Sequence, residues 1–132
     1  MRRGDFVKVV TPGSYGKPRP ALIIQSDLFN QHPSVSVLPL SSELRNAPLF
    51  RIPIEPSSMN GLEKRSEVMI DKIQTIPVDK IGGEIGRASD EEMLAINRAL
   101  AIFWDLPNQR AAWQGFQRPP QDDLRVLHWL VS

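Results

Sequence analysis

The stretch Pro20-Ala21-Leu22-Ile23-Ile24, entered through Gly16-Lys17-Pro18-Arg19, decides the fold class. Ala21 to Ile24 is apolar at every position. A strand of that kind has no face to give to water, so it belongs in the middle of a sheet covered on both sides. Working outward, the sequence shows short apolar segments separated by Pro, Gly, Asn and Ser, and little helical periodicity before about residue 89. That pattern predicts a mostly β domain, with strands near 5–11, 20–25, 35–40, 50–54 and 67–76 and a weaker one near 84–87. Phe50-Arg51-Ile52-Pro53-Ile54 alternates, with Phe50, Ile52 and Ile54 inward; Pro53 has no N–H to donate, which puts this strand at an edge. Residues 12–18 read as a turn-rich loop, and a second long connection, 55–65, contains Pro56, Asn60 and Gly61.

One helix stands out. Ser89 is its N-cap and Glu92 completes a capping box, with Asp90 and Glu91 suited to the positive end of the helix dipole. Met93, Ile96, Leu100 and Phe103 recur at helical spacing, Leu94, Ala101 and Trp104 widen the stripe, and Pro107 ends the helix. The stripe reads as a packing face against the sheet. Residues 107–132, with Trp113, Phe116, Pro119-Pro120 and Trp129, read as an irregular tail, which divides the chain into a 1–106 domain and a 107–132 extension.

The 132 residues are 41% hydrophobic and 23% charged, ordinary values for a globular chain and against collagen-like or wholly disordered readings. The absence of cysteine excludes disulfides, thiolate metal sites and cysteine nucleophiles. No apolar run approaches a membrane span, and Gly4-Asp5 follows the basic start where a signal peptide would turn apolar, so a cytoplasmic protein is expected. Net charge is only +1, yet residues 1–20 carry five basic side chains (Arg2, Arg3, Lys8, Lys17, Arg19) against Asp5 alone. Such a segment is either a phosphate-binding face or a solvated one.

His32 and His128 have no ligand spacing, and no phosphate loop, HExxH or GxSxG is present, so no metal or cofactor is expected. Arg19 is held between Pro18 and Pro20 at the mouth of a buried strand, and its guanidinium suits a phosphate. Ser41 and Ser42 follow an apolar strand and can hydrogen-bond a phosphate oxygen. Asp71 interrupts Val68-Met69-Ile70, where a carboxylate is costly unless exposed or paired. From the residues alone structural roles fit better: Arg19 and the serines in turns, Asp71 paired with Lys72 or Arg19.

Four blocks in order resemble the MazF/PemK family of toxin endoribonucleases. They are Arg3-Gly4-Asp5-Phe6-Val7, the stretch from Gly16 to Asp27, Val37-Leu38-Pro39-Leu40-Ser41-Ser42, and the run from Gly61 to Ile76. Together with the terminal helix they cover about residues 2–106. The resemblance implies a small SH3-like β-barrel (MazF/PemK/CcdB-like) with one C-terminal helix, usually a homodimer. It further implies metal-independent cleavage of single-stranded RNA and a cognate antitoxin whose C-terminal segment occupies the RNA groove; DNA would be met only through an antitoxin complex. By matching positions, Arg19 and Ser41 correspond to the family's catalytic arginine and hydroxyl, Ser66 to the hydroxyl early in the next block, and Asp71 to an acid used by some members as base. Lys17, Ser42, Ser66 and Tyr15 are the expected RNA contacts. Two departures stand out: the first loop lacks the family's Glu-Gln run, and Met69 stands where some members carry Arg.

On this reading the 2′-hydroxyl of RNA is the nucleophile, Asp71 the base, and Arg19 stabilises the charge developing on phosphorus, with Ser41 bound to the phosphate. Two other readings share the fold: a gyrase-poisoning toxin working through the terminal helix, and a non-catalytic SH3-like nucleic-acid-binding module.

Overall fold

The computed structural model describes residues 1–10, 15–47 and 49–106; the expected tail, with His128, lies outside them. Among the described residues seven strands precede one α-helix: β1 (Asp5–Val9), β2 (Arg19–Ile23), β3 (Ser34–Ser41), β4 (Arg51–Ile54), β5 (Ser66–Met69), β6 (Gln74–Pro77), β7 (Ile81–Arg87) and α1 (Asp90–Phe103). All pairings are antiparallel. The strand order is β4-β5-β3-β2-β1-β7, with β6 also on β3. The long strand β3 therefore serves two partners: Leu40 and Ser41 pair with β5, and Ser34 to Val37 pair with β6.

Strand β2 lies between β1 and β3 as its apolar run requires. Its side chains divide between two cores, which explains why every position is apolar. Leu22 joins Phe6, Leu38, Ile54, Val68, Ile70 and Ile96 on one face. Ala21 and Ile23 join Val7, Val9, Val35, Val37 and Ile76 on the other. Pro53 stands exposed in β4, which ends the strand order, and Ile54 points inward.

The segment read as one strand, 67–76, is two. Pairing across β3 shifts by three residues between Leu40↔Val68 and Val37↔Gln74, and the excess is taken up by a 3-10 turn, Ile70–Lys72. Pro39, which has no N–H for the ladder, sits in the part of β3 facing this break. The apolar run Val68 to Ile70 continues across the turn because Ile70 is still buried in the core, so hydrophobicity alone carries no sign of the interruption.

Helix α1 begins with the capping box: Ser89 Oγ accepts from the Glu92 N–H at 3.1 Å and Glu92 Oε1 accepts from the Ser89 N–H at 2.8 Å. Its buried face is narrower than expected. Ile96 and Ala99 are buried and Met93 and Leu100 pack at the margin, but Leu94, Phe103 and Trp104 are exposed. The helix also stops before Pro107 acts. Asp105 takes a left-handed φ of 52°. The Leu106 and Asp105 N–H groups then bond the carbonyls of Ala101 and Ile102 at 2.8 and 3.2 Å, the pairing of a Schellman ending.

The Gly4-Asp5 pair is structural. Buried Asp5 accepts from Arg87 Nη1 and from the Arg2 N–H, each at 2.8 Å, clamping β1 to the end of β7. Arg3 turns to a different side, donating to the Ile24 carbonyl and to Asn97 of α1. Burial lowers its guanidinium from the ordinary value, with Asp27 opposing. The basic N-terminal segment is therefore not one face: Lys8 and Arg19 go one way and Arg3 another.

Candidate active site

A cleft of about 490 Å³ opens where the ends of β2 and β3 meet the connection before β5 and the middle of β7. Its floor is apolar, made by Leu40 and Leu62 from the core and by Ile85. Around that floor stand Lys8, Arg19 and Lys64, the hydroxyls Ser42 and Ser66, and the carboxylates Glu63 and Glu84. A low-dielectric floor beneath a cationic rim strengthens the field felt by an anion in the cleft.

Each group is placed by a local device. Arg19 opens β2 opposite Val9, and Lys8 is paired with the next residue, Pro20, so the two cations stand at neighbouring register positions and both border the cleft. Arg19 is exposed and makes no hydrogen bond or ion pair with another described residue. The connection 55–65 is pinned rather than loose. Asn60, fully buried, accepts at Oδ1 from the Ser57 and Leu62 N–H groups at 3.0 Å each and donates to the Glu55 carbonyl at 2.8 Å. Gly61 comes next with φ +66°, packed so that a β-carbon would collide with the Ile85 carbonyl; only glycine fits there.

Of the residues expected at the site, Arg19, Ser42 and Ser66 come together in this cleft and the others do not. Ser41 Oγ is engaged with its own turn, accepting from the Glu43 N–H at 3.1 Å, whereas Ser42 is exposed to the cleft. Ser66 Oγ donates its proton to the Lys64 carbonyl at 3.0 Å, so as placed it holds the loop and has only acceptor capacity left. Lys17 and Tyr15 are exposed beside Pro18, which reaches the cleft, but neither lines it, and Tyr15 is 99% exposed.

Asp71, expected as the base, lies apart from this cleft. It sits in the 3-10 turn beyond the far end of β5, and Ser66 to Met69 alone spans about 10 Å along the strand. The turn packs on β4 and α1. There Asp71 Oδ1 lies 3.4 Å from Nε of Arg51, which is only 5% exposed. The partner is neither Lys72 nor Arg19. Alternation within Phe50–Ile54 assigned Arg51 to solvent, but the turn after β5 folds over that face. Lys8 was marked only as one of the five basic residues of 1–20, and Glu84 carries no mark of the site in the sequence. For Glu63 and Lys64 the signal was the Asn60-Gly61 pair at the start of the fourth resembling block, a tight turn that aims the residues beyond it.

Among the described residues no group of three or more His, Asp or Glu is placed to hold a metal ion, and no helix is long and apolar enough to cross a membrane.

An antiparallel sheet with one C-terminal helix and a cleft bordered by an exposed arginine, two lysines, a serine hydroxyl and two carboxylates define a small β protein with a polar, charged cleft. Residues 2–104 match the profile of the PemK-like, MazF-like toxins of type II toxin-antitoxin systems. The chain is 44% identical over 104 residues to a probable endoribonuclease MazF of Mycolicibacterium smegmatis, covering 78% of this chain and 95% of that protein. It is 30% identical over 117 residues to the endoribonuclease MazF of Staphylococcus saprophyticus, covering 84% and 97% respectively. Among solved structures, the Mycobacterium tuberculosis toxin MazF-mt6 superposes with a TM-score of 0.67 at 28% identity, over 80% of this chain and all of that one. A mycobacterial endoribonuclease in complex with its cognate antitoxin gives 0.70 at 28% identity, over 82% of this chain and 98% of that one. The chain belongs to the MazF/PemK-like family of type II toxin-antitoxin endoribonuclease toxins.

Proposed function

We propose that this toxin cleaves single-stranded RNA, mRNA included, by metal-independent transesterification in the Arg19 cleft, halting translation and growth in the cytoplasm. The observation that carries the reading is an exposed, proline-flanked Arg19 beside Lys8, Lys64 and the uncommitted hydroxyl of Ser42. Each can donate to a phosphodiester; none can supply a nucleophile by a triad, and RNA brings its own in the 2′-hydroxyl.

The attacking O2′ adds to phosphorus, the P–O5′ bond breaks, and the ends are a 2′,3′-cyclic phosphate and a 5′-hydroxyl. Charge grows on the non-bridging oxygens, and the Arg19 fork stabilises it. A guanidinium is a poor proton donor, so the role of Arg19 is electrostatic. Ser42 binds the phosphate, Ser66 fixes Lys64, and Lys17 and Tyr15 extend the contact along the strand outside the cleft. Ser41 acts one step back, by shaping the turn that presents Ser42. A homodimer, and an antitoxin segment covering the same cleft, complete the system, with DNA reached through the antitoxin.

The test is direct. Incubation with mixed-sequence RNA in excess chelator should give cleavage with cyclic-phosphate ends, and Arg19→Ala should lose it. One observation favours a second reading: Phe103, Trp104 and Leu106 are exposed at the end of α1, as a helix acting on a protein such as gyrase would need. Trapping of gyrase on DNA by a protein that leaves RNA intact would select it.

A further inference from the structure

We propose that Glu63 is the general base of RNA cleavage in this chain, a role that rests on the endoribonuclease reading above. Few groups in the cleft can accept a proton. Lys8, Arg19 and Lys64 enter as cations with no lone pair to offer, and the serine hydroxyls keep their protons at neutral pH. Among the described lining residues only Glu63 and Glu84 can take a proton from a 2′-hydroxyl. The two are not equivalent. Glu84 Oε1 lies 3.2 Å from the N-terminal ammonium, which holds its charge at the β1–β7 side of the cleft. Glu63 is exposed and has no hydrogen bond or ion pair with another described residue; its neighbour Arg65 is turned away onto Glu55 at 2.7 Å.

Its backbone is also fixed. Before it come Asn60 with its side chain bonded into the loop, Gly61 pressed on Ile85, and Leu62 buried in the core at 8% exposure. After it, the Lys64 carbonyl is held by Ser66 Oγ at 3.0 Å. A carboxylate on a clamped segment, beside a cation-lined phosphate site, meets the geometric requirement on a base better than Asp71, whose carboxylate faces Arg51 at the other end of β5.

The step balances without a co-reactant. The 2′ O–H proton passes to a Glu63 carboxylate oxygen, O2′ bonds to phosphorus, and the P–O5′ pair leaves on O5′. That oxygen takes a proton from water, and Glu63 returns its own to solvent.

The experiment uses the full chain and single-turnover cleavage of a mixed-sequence RNA across pH. Binding is measured separately on the same RNA with 2′-O-methyl groups, which cannot react. Glu63→Gln should slow cleavage by about 10²–10⁴-fold and remove the acid limb of the pH–rate profile, with binding of the inert RNA within about threefold of wild type. Glu63→Asp should recover part of the rate together with the limb. Glu63→Gln that cleaves at the wild-type rate, or that keeps the acid limb while Glu84→Gln or Asp71→Asn loses it, overturns the assignment, with the RNase reading intact. Wild-type protein that binds RNA but never cuts it overturns both.

Discussion

The Arg19 cleft and the Arg51–Asp71 corner are built from the same chemistry and have opposite fates. Both put a guanidinium near a carboxylate on the same small sheet. At the corner, the 3-10 turn Ile70–Lys72 folds over β4, Arg51 is buried, and the two charges face one another. In the cleft, Arg19 is exposed above an apolar floor, with its donors uncommitted to described residues. At the corner the charges are spent inside the fold, Arg51 Nε and Asp71 Oδ1 lying 3.4 Å apart as an ion pair with no hydrogen bond to either atom among the described residues. A charge with capacity left over, at a concave surface, is available to a ligand. Residue type does not separate the two cases, and the state of the neighbours does.

The sharpest way to break the comparison is Arg19→Ala. If the cleft is the working end, RNA cleavage should fall by about 10²–10³-fold with the melting temperature unchanged; gel-resolved cleavage rates and a thermal scan check both halves. The corner should answer in the reverse sense. Asp71→Ala strands the buried Arg51 and should cost about 3 kcal/mol of stability, read from urea unfolding. Replacing the pair together, Arg51→Met with Asp71→Leu, should return stability to within about 1 kcal/mol of wild type. Within the cleft, Ser42→Ala should slow cleavage by about tenfold through one lost hydrogen bond to a charged phosphate. Ser41→Ala, which reaches the RNA only through its turn, should slow it less. Smallest, and remote from both regions, Ser89→Ala removes the α1 cap and should lower stability by about 1 kcal/mol without a specific effect on cleavage.

Much of this was legible in the chain, and the reasons differ by element. Ala21 to Ile24 announced a strand with two cores because no polar residue interrupts it. Ser89 and Glu92 announced the helix start because capping is local, three residues apart. Pro53 announced an edge because a missing donor is a local fact. The split between β5 and β6 was not legible: a three-residue excess is a property of pairing with β3, and the apolar residues on either side remain buried. Burial of Arg51 was hidden for the same reason, since its cover comes from a turn nearly twenty positions later. The cleft was half legible. Arg19 and the serines lie at strand ends, but Lys8, Glu63 and Glu84 join them only through β1–β7 pairing and the Gly61 contact with Ile85.

The edge strand β4 has a further consequence. It is four residues long and one of them, Pro53, lacks an amide hydrogen. A stray chain that tried to extend the sheet there would gain few ladder bonds and meet a gap among them, so β4 offers a poor template for intermolecular β-pairing. This side of the molecule therefore carries its own protection against amyloid-like growth.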